Sequence, residues 1–238
     1  MAYLFLKAQG LAGKPVADIR IDGAGKKVTR SDNCRVSDLS VSSDNLTFTY
    51  EAKSLPYPID TSYYDNEKHT QADALSVIPF MDEMNYEGLS VSGLSDGYYG
   101  LTIGGEFIGR FTARELERGI NMALLQNTPQ YKQAMKIRQM NEERWLKERK
   151  MREFYWVEYN LMRKTGMLWA CDEAAVDTLR KYRPHDIFLQ WNGDLWLQYM
   201  HKGIREDCVN EQQNLVDRIY EQNKPIPLRI EIKKFTNL

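Results

Sequence analysis

The sequence of 238 residues has no C-x-x-C, and its three cysteines, Cys34, Cys171 and Cys208, lie far apart. That excludes a disulfide framework and leaves reduced thiols, buried or on the surface. The three histidines, His69, His185 and His201, are equally scattered, with no H-x-x-x-H spacing. Zinc chemistry lacks its ligands, and neither a metal nor a cofactor is expected. No apolar run reaches 18 residues, so no helix is expected to span a membrane. Charge of one sign is not in excess either: 32 Lys and Arg stand against 33 Asp and Glu. That balance argues against a nucleic-acid partner. What is present, 42% apolar and 27% charged residues, is ordinary for a globular chain with room for one large domain or two modest ones.

The first residues, Met1-Ala-Tyr-Leu-Phe-Leu-Lys-Ala-Gln-Gly10, read as an amphipathic helix closed by a glycine C-cap. No Ser, Thr, Asp or Asn starts it, as though the chain opens inside a helix. Its bulk at Tyr3, Leu4 and Phe5 needs a covering surface, so self-association through these residues is expected.

From residue 16 the period falls to two. Val16 to Ile21, Lys26 to Arg30 and Cys34 to Val41 are strand candidates, and Asp22-Gly-Ala-Gly25 is a turn. Asn45 to Tyr50 puts Leu46, Phe48 and Tyr50 on one face. Two prolines in Ser54 to Asp60 forbid a central strand there, and the polar segment Ser62 to Ala74 has room for a short helix. Tyr86 to Gly93, Gly97 to Gly104 and Phe107 to Phe111 complete a mostly antiparallel, sandwich-like β domain over residues 13–111.

At Thr112 the period becomes 3.6. Thr112-Ala-Arg-Glu115 is a capping box, predicting a helix to about Leu125. Thr128-Pro129 opens a long helix over about 129–165, since no helix breaker precedes Gly166. Its charged middle carries the i,i+4 pairs Glu143→Lys147 and Glu148→Arg152, a solvated face with alternating signs. Met151, Phe154, Tyr155 and Met162 have the spacing of a packed face. Helices are expected over Asp172 to Tyr182 and Asn192 to Asn223, the second with a point of interruption at Gly203, then a closing strand at Leu228 to Ile232. The fold class is therefore α+β: a β-sandwich-like domain followed by a helical region over 112–238 with its long helix.

Candidate chemistry is sparse. Gly93-Leu-Ser-Asp-Gly97 matches G-x-S-x-G, but that elbow needs a helix after it, and Tyr98 to Ile103 is a strand. Ser95 therefore reads as a turn residue, and no catalytic residue is assigned. Trp191-Asn-Gly-Asp-Leu-Trp196 has two tryptophans beside Asn192 and Asp194. One reading is a helix start at Asn192 with the tryptophans stapled into the core. The other is a carbohydrate-stacking site, with Tyr63, Tyr64, Trp191 and Trp196 as substrate-binding residues of a stand-alone binding module.

Several strings resemble the C-terminal region of bacterial SGNH/GDSL-type hydrolases: the N-terminal helix, Leu55-Pro-Tyr-Pro-Ile-Asp60, Leu89-Ser-Val-Ser-Gly-Leu94 and Gly97-Tyr-Tyr-Gly-Leu-Thr-Ile103. Gly109-Arg-Phe-Thr-Ala-Arg-Glu-Leu116, Gly119-Ile-Asn-Met-Ala-Leu-Leu125 and Thr128-Pro-Gln-Tyr-Lys-Gln-Ala134 extend the likeness, which is weaker over Lys164 to Gln222. The resemblance implies an accessory portion of an ester hydrolase, with residues 1–12 as the last helix of an upstream SGNH hydrolase domain that would be its partner. The family's catalytic serine, oxyanion-hole residues and Asp/His pair would all precede Met1. Export to the periplasm or beyond would follow, on a signal lying upstream.

Overall fold

The computed structural model describes residues 2–61 and 70–235. The chain divides into two compact units, one formed by residues 1–137 with 222–238 and the other by residues 138–221.

The first unit opens with α1 (Ala2–Ala8), followed by β1 (Ala17–Asp22), β2 (Lys27–Asp32), β3 (Cys34–Val41) and β4 (Asn45–Ala52). A 3-10 turn at Gln71–Ser76 and the short α2 (Phe80–Glu83) lead to β5 (Glu87–Ser92), β6 (Tyr98–Ile103) and β7 (Glu106–Thr112). Next come α3 (Ala113–Arg118), the two-residue β8 (Ile120–Asn121) and a 3-10 turn at Met122–Leu124, then α4 (Pro129–Val157). The expected fold class holds: two sheets of strands, then a long helix and further helices.

The strands form two sheets, ordered β2-β1-β5-β8 and β3-β4-β9-β6-β7, where β9 is Leu228–Lys234. The second is antiparallel throughout. The first departs from the expected antiparallel pattern, because β1 and β5 run parallel, with Ile19 opposite Leu89 and Ile21 opposite Val91. Their apolar residues Ala17, Ile19, Ile21, Leu89 and Val91 alternate with Asp18, Arg20, Ser90 and Ser92, so the pair turns one apolar face to the core, a pattern that period-two reading cannot tell from an antiparallel pair. The closing strand lies at the centre of its sheet. Ile232 sits between Leu46 and Leu101, and Ile230 between Phe48 and Ile103. Both sheets turn these residues into one core. Each such side chain contributes roughly 1.5–3 kcal/mol on burial.

Local chemistry sets the element ends. The Thr112 hydroxyl accepts from the Glu115 amide at 3.1 Å, and the Glu115 carboxylate accepts from the Thr112 amide at 2.7 Å. The helix stops at Arg118, well short of Leu125, because Gly119 takes φ 93° and turns the chain into β8 beside β5. Helix α1 is tied down by its polar face: Tyr3 Oη donates to Glu83 Oε2 at 2.6 Å, and Lys7 Nζ donates to Glu83 Oε1 at 2.9 Å. Leu4 and Phe5 remain 62% and 64% exposed.

The second unit takes the rest of α4, a π-helical turn at Glu158–Met162, α5 (Glu173–Tyr182), α6 (Ile187–Tyr199) and most of α7 (Lys202–Gln222). Its core gathers Phe154, Val157, Met162, Leu179 and Trp196. Met151 and Phe154 pack as the spacing predicts, whereas Tyr155 stays partly exposed. The ion pairs differ from the expected ones. Arg144 takes Glu148 at 3.2 Å, and Lys147 leaves Glu143 for Glu211 of α7 at 2.6 Å. Helix α6 starts at Ile187, not Asn192, because the Asp186 carboxylate caps it by accepting from the amides of Phe188 and Leu189 at 2.8 and 3.3 Å. It ends at Tyr199 and α7 starts at Lys202, so the break expected at Gly203 falls a few residues earlier.

Candidate functional site

The most unusual titratable group is Glu87, the first residue of β5. It is wholly buried. Its Oε1 accepts from Tyr50 Oη at 2.8 Å and from Gln130 Nε2 at 3.2 Å, joining both sheets to the first turn of α4. Its amide donates to Asn121 Oδ1 at 2.9 Å. Glu87 Oε2 and Gln130 Oε1 have no hydrogen-bond partner among the described residues. Burial is the largest influence on this carboxyl and pushes its pKa up to about 7, against the opposing bonds from Tyr50 and Gln130. Burial likewise pushes the Tyr50 hydroxyl far up. A proton on Oε2 gives the carboxyl a donor and leaves no charge unpaired in the core. The group is sealed from substrate and acts as a structural tie.

Ser95 has a neighbour that the motif did not announce. Lys234 Nζ, from β9, donates to its Oγ at 2.7 Å, and Tyr99 Oη lies 3.1 Å from the same atom. Tyr99 donates its proton to the Ser95 carbonyl at 2.8 Å. With the ammonium donating inward and Tyr99 already committed, the serine's proton points to Tyr99 Oη. No base receives it, which nucleophilic activation requires.

The two tryptophans of the Trp191–Trp196 string do not share a surface. Five residues along a helix turn the side chain by roughly 140° relative to its start. Trp191 is 67% exposed and meets Phe188 edge-on, whereas Trp196 is fully buried. Trp196 Nε1 donates to Glu158 Oε1 at 2.8 Å, and the Trp169 amide donates to Glu158 Oε2 at 2.9 Å. Asp194 is taken by Arg183 through bonds of 2.6 and 2.7 Å. Arg183 lies close over Gly193, where a Cβ would meet its Nε at 3.2 Å. Tyr63 and Tyr64 lie outside the described residues.

What the sequence did not single out is a groove in the second unit, with a cavity of about 370 Å³. Its lining includes the buried Leu161 and Leu189, the rings of Trp156 and Tyr182, and the polar Asn160, Lys164 and His185. The π-turn aims this set, since the Arg163 amide bonds back five residues to the Glu158 carbonyl at 2.8 Å. The available signal was Arg183-Pro-His-Asp186: a proline break followed by an Asp cap marks a corner between two helices. Among the described residues, no group of His, Cys, Asp and Glu is placed to hold a metal ion.

A two-sheet β unit with a helical unit built around a long helix defines the class of structure, and comparison with known proteins gives it a particular relative. The family model described as the diltiazem deacetylase C-terminal helical domain matches residues 135–224. A solved structure, BT4096, a gut microbial diltiazem-metabolizing enzyme, aligns with TM-score 0.92 at 39% identity over 99% of this chain and 53% of that one. The chain thus spans about half the length of that enzyme. No curated protein matches. These findings overturn the SGNH/GDSL resemblance and the accessory role drawn from it, for the likeness runs to a diltiazem-metabolizing enzyme. The carbohydrate-binding alternative gains no support from them, and the separation of Trp191 from Trp196 removes its geometric basis.

Proposed function

We propose that the chain supplies the scaffold half of an acetyl-ester hydrolase of the diltiazem deacetylase kind. The extent of the likeness carries this reading: TM-score 0.92 at 39% identity over 99% of the chain. The word deacetylase in the matching model's description supplies the reaction class, transfer of an acetyl group to water. That reaction calls for a nucleophile with a base in hydrogen-bond reach. Among the described residues no serine or cysteine is bonded to a histidine, and Ser95 faces an ammonium. In this reading the acyl-transfer groups belong to the part of such an enzyme that the chain does not match. The chain shapes and supports the site.

The test is a chimera in which this chain replaces the matching half of the diltiazem-metabolizing enzyme, with acetate release from diltiazem as readout. Turnover within about tenfold of that enzyme, a barrier change of about 1.4 kcal/mol, is expected, and none from the chain alone. A folded chimera without turnover would sink the shared function. Turnover by the chain alone, lost on substitution of its own residues, would sink the division of labour.

A further inference from the structure

We propose that the groove between the π-turn of α4 and the α5–α6 corner binds a small aromatic carboxylate. This inference stands apart from the deacetylase reading. It rests on which groups in the groove are spent and which are free.

Lys164 is exposed, lines the groove, and has no ion-pair or hydrogen-bond partner among the described residues. Asn160 donates its Nδ2 to the Trp156 carbonyl at 2.9 Å, which leaves Oδ1 as a free acceptor. Thr165 spends its proton on the Leu161 and Met162 carbonyls at 3.0 and 3.2 Å. The Tyr182 hydroxyl and the His185 ring are unbonded among the described residues. The one carboxylate in the lining, Asp186, is committed to the first amides of α6, which offset its charge. What remains is an ammonium with no bonded partner beside apolar side chains and two aromatic rings.

A free ammonium recognises a carboxylate by a charge-assisted hydrogen bond. Trp156 is already held by Phe188, ring centroids 5.2 Å apart, so an aromatic partner that meets it in the groove costs little side-chain freedom. A volume of about 370 Å³ is at the small end of ligand sites and suits one or two fused rings. An aliphatic acid would leave the rings unused, and an aromatic cation would meet Lys164.

The experiment is calorimetric titration of the full chain with 2-naphthoate and with its uncharged isostere 2-naphthamide. Naphthoate is expected to bind at least tenfold more tightly than naphthamide. Lys164→Gln should weaken naphthoate by about tenfold and leave naphthamide unchanged, while Lys164→Arg should restore most of the loss. Lys164 is exposed, so none of these variants endangers the fold. Tyr182→Ala, also at an exposed position, should weaken both ligands. Equal affinity for the two ligands, indifference to Lys164→Gln, or no heat from naphthoate at millimolar concentration would each overturn the proposal.

Discussion

Glu87 sets a pH dependence whose sign follows from its burial. Its folded pKa lies at about 7, above the ordinary value of 4.5. The folded state therefore binds a proton that the unfolded chain releases. The stability it contributes is complete below pH 4.5, declines as pH rises, and is lost through about pH 7. The span is on the order of 3 kcal/mol. Urea denaturation at pH 5, 7 and 9 should show this decline in the parent. Glu87→Gln mimics the neutral acid, accepting from Tyr50 and donating an amide proton, so it should be close to neutral at pH 5 and stabilising at pH 9. A variant less stable at pH 9 than the parent would mean that the carboxylate is the native form. At Ser95 the expectation is chemical inertness. A fluorophosphonate probe should leave it unlabelled, whereas stoichiometric labelling lost in Ser95→Ala would show that Lys234 serves as its base. The sequence disclosed the alternation that buries Glu87's neighbours. It carried no sign that Tyr50, Gln130 and Lys234 would meet their partners, because those meetings cross 37 to 139 positions of chain.

Elements follow the same division between local and distant causes. The strands and the Thr112 capping box were legible because period-two burial and an S/T-x-x-E string are written within a few residues. The π-turn was not, because Glu158–Met162 continues a helical sequence, and what settles it is distant: Trp196 Nε1 and the Trp169 amide on the Glu158 carboxylate. Glu158→Ala strands both donors, one of them fully buried, and should cost about 2–4 kcal/mol in thermal or urea unfolding. A loss below about 0.5 kcal/mol, the range of ordinary surface changes, would show that the tie is dispensable. Helix α1 gives a prediction of another kind. Tyr3 and Lys7 hold it to Glu83, while Leu4 and Phe5 lie open. We expect concentration-dependent self-association of the chain in sedimentation velocity, abolished in Leu4→Glu/Phe5→Glu. A parent that stays monomeric at high concentration would refute that role for α1.

Across the whole molecule, the candidate groove and the sheet order were the least legible features, since both depend on where long connections bring the chain back. The groove joins α4 to the α5–α6 corner. The second sheet is completed only when β9 enters between β4 and β6, with Asn45 meeting Lys233 and Tyr99 meeting Lys234. The alternation of Leu228, Ile230 and Ile232 marks a strand but not its neighbours, and these buried residues form the middle of the core. Its removal would uncover two strand edges at once and open the apolar layer between them. A chain truncated after Lys224 should therefore lose amide-exchange protection throughout β3, β4, β6 and β7. Residues 138–221 keep their own core around Phe154 and Trp196, so helical circular dichroism should persist. Because so many contacts of the second sheet wait for the final strand, refolding of the full chain should show helical signal before β-sheet protection. Protection of β4 and β6 in the truncated chain, at the level of the parent, would show that the sheet closes without β9.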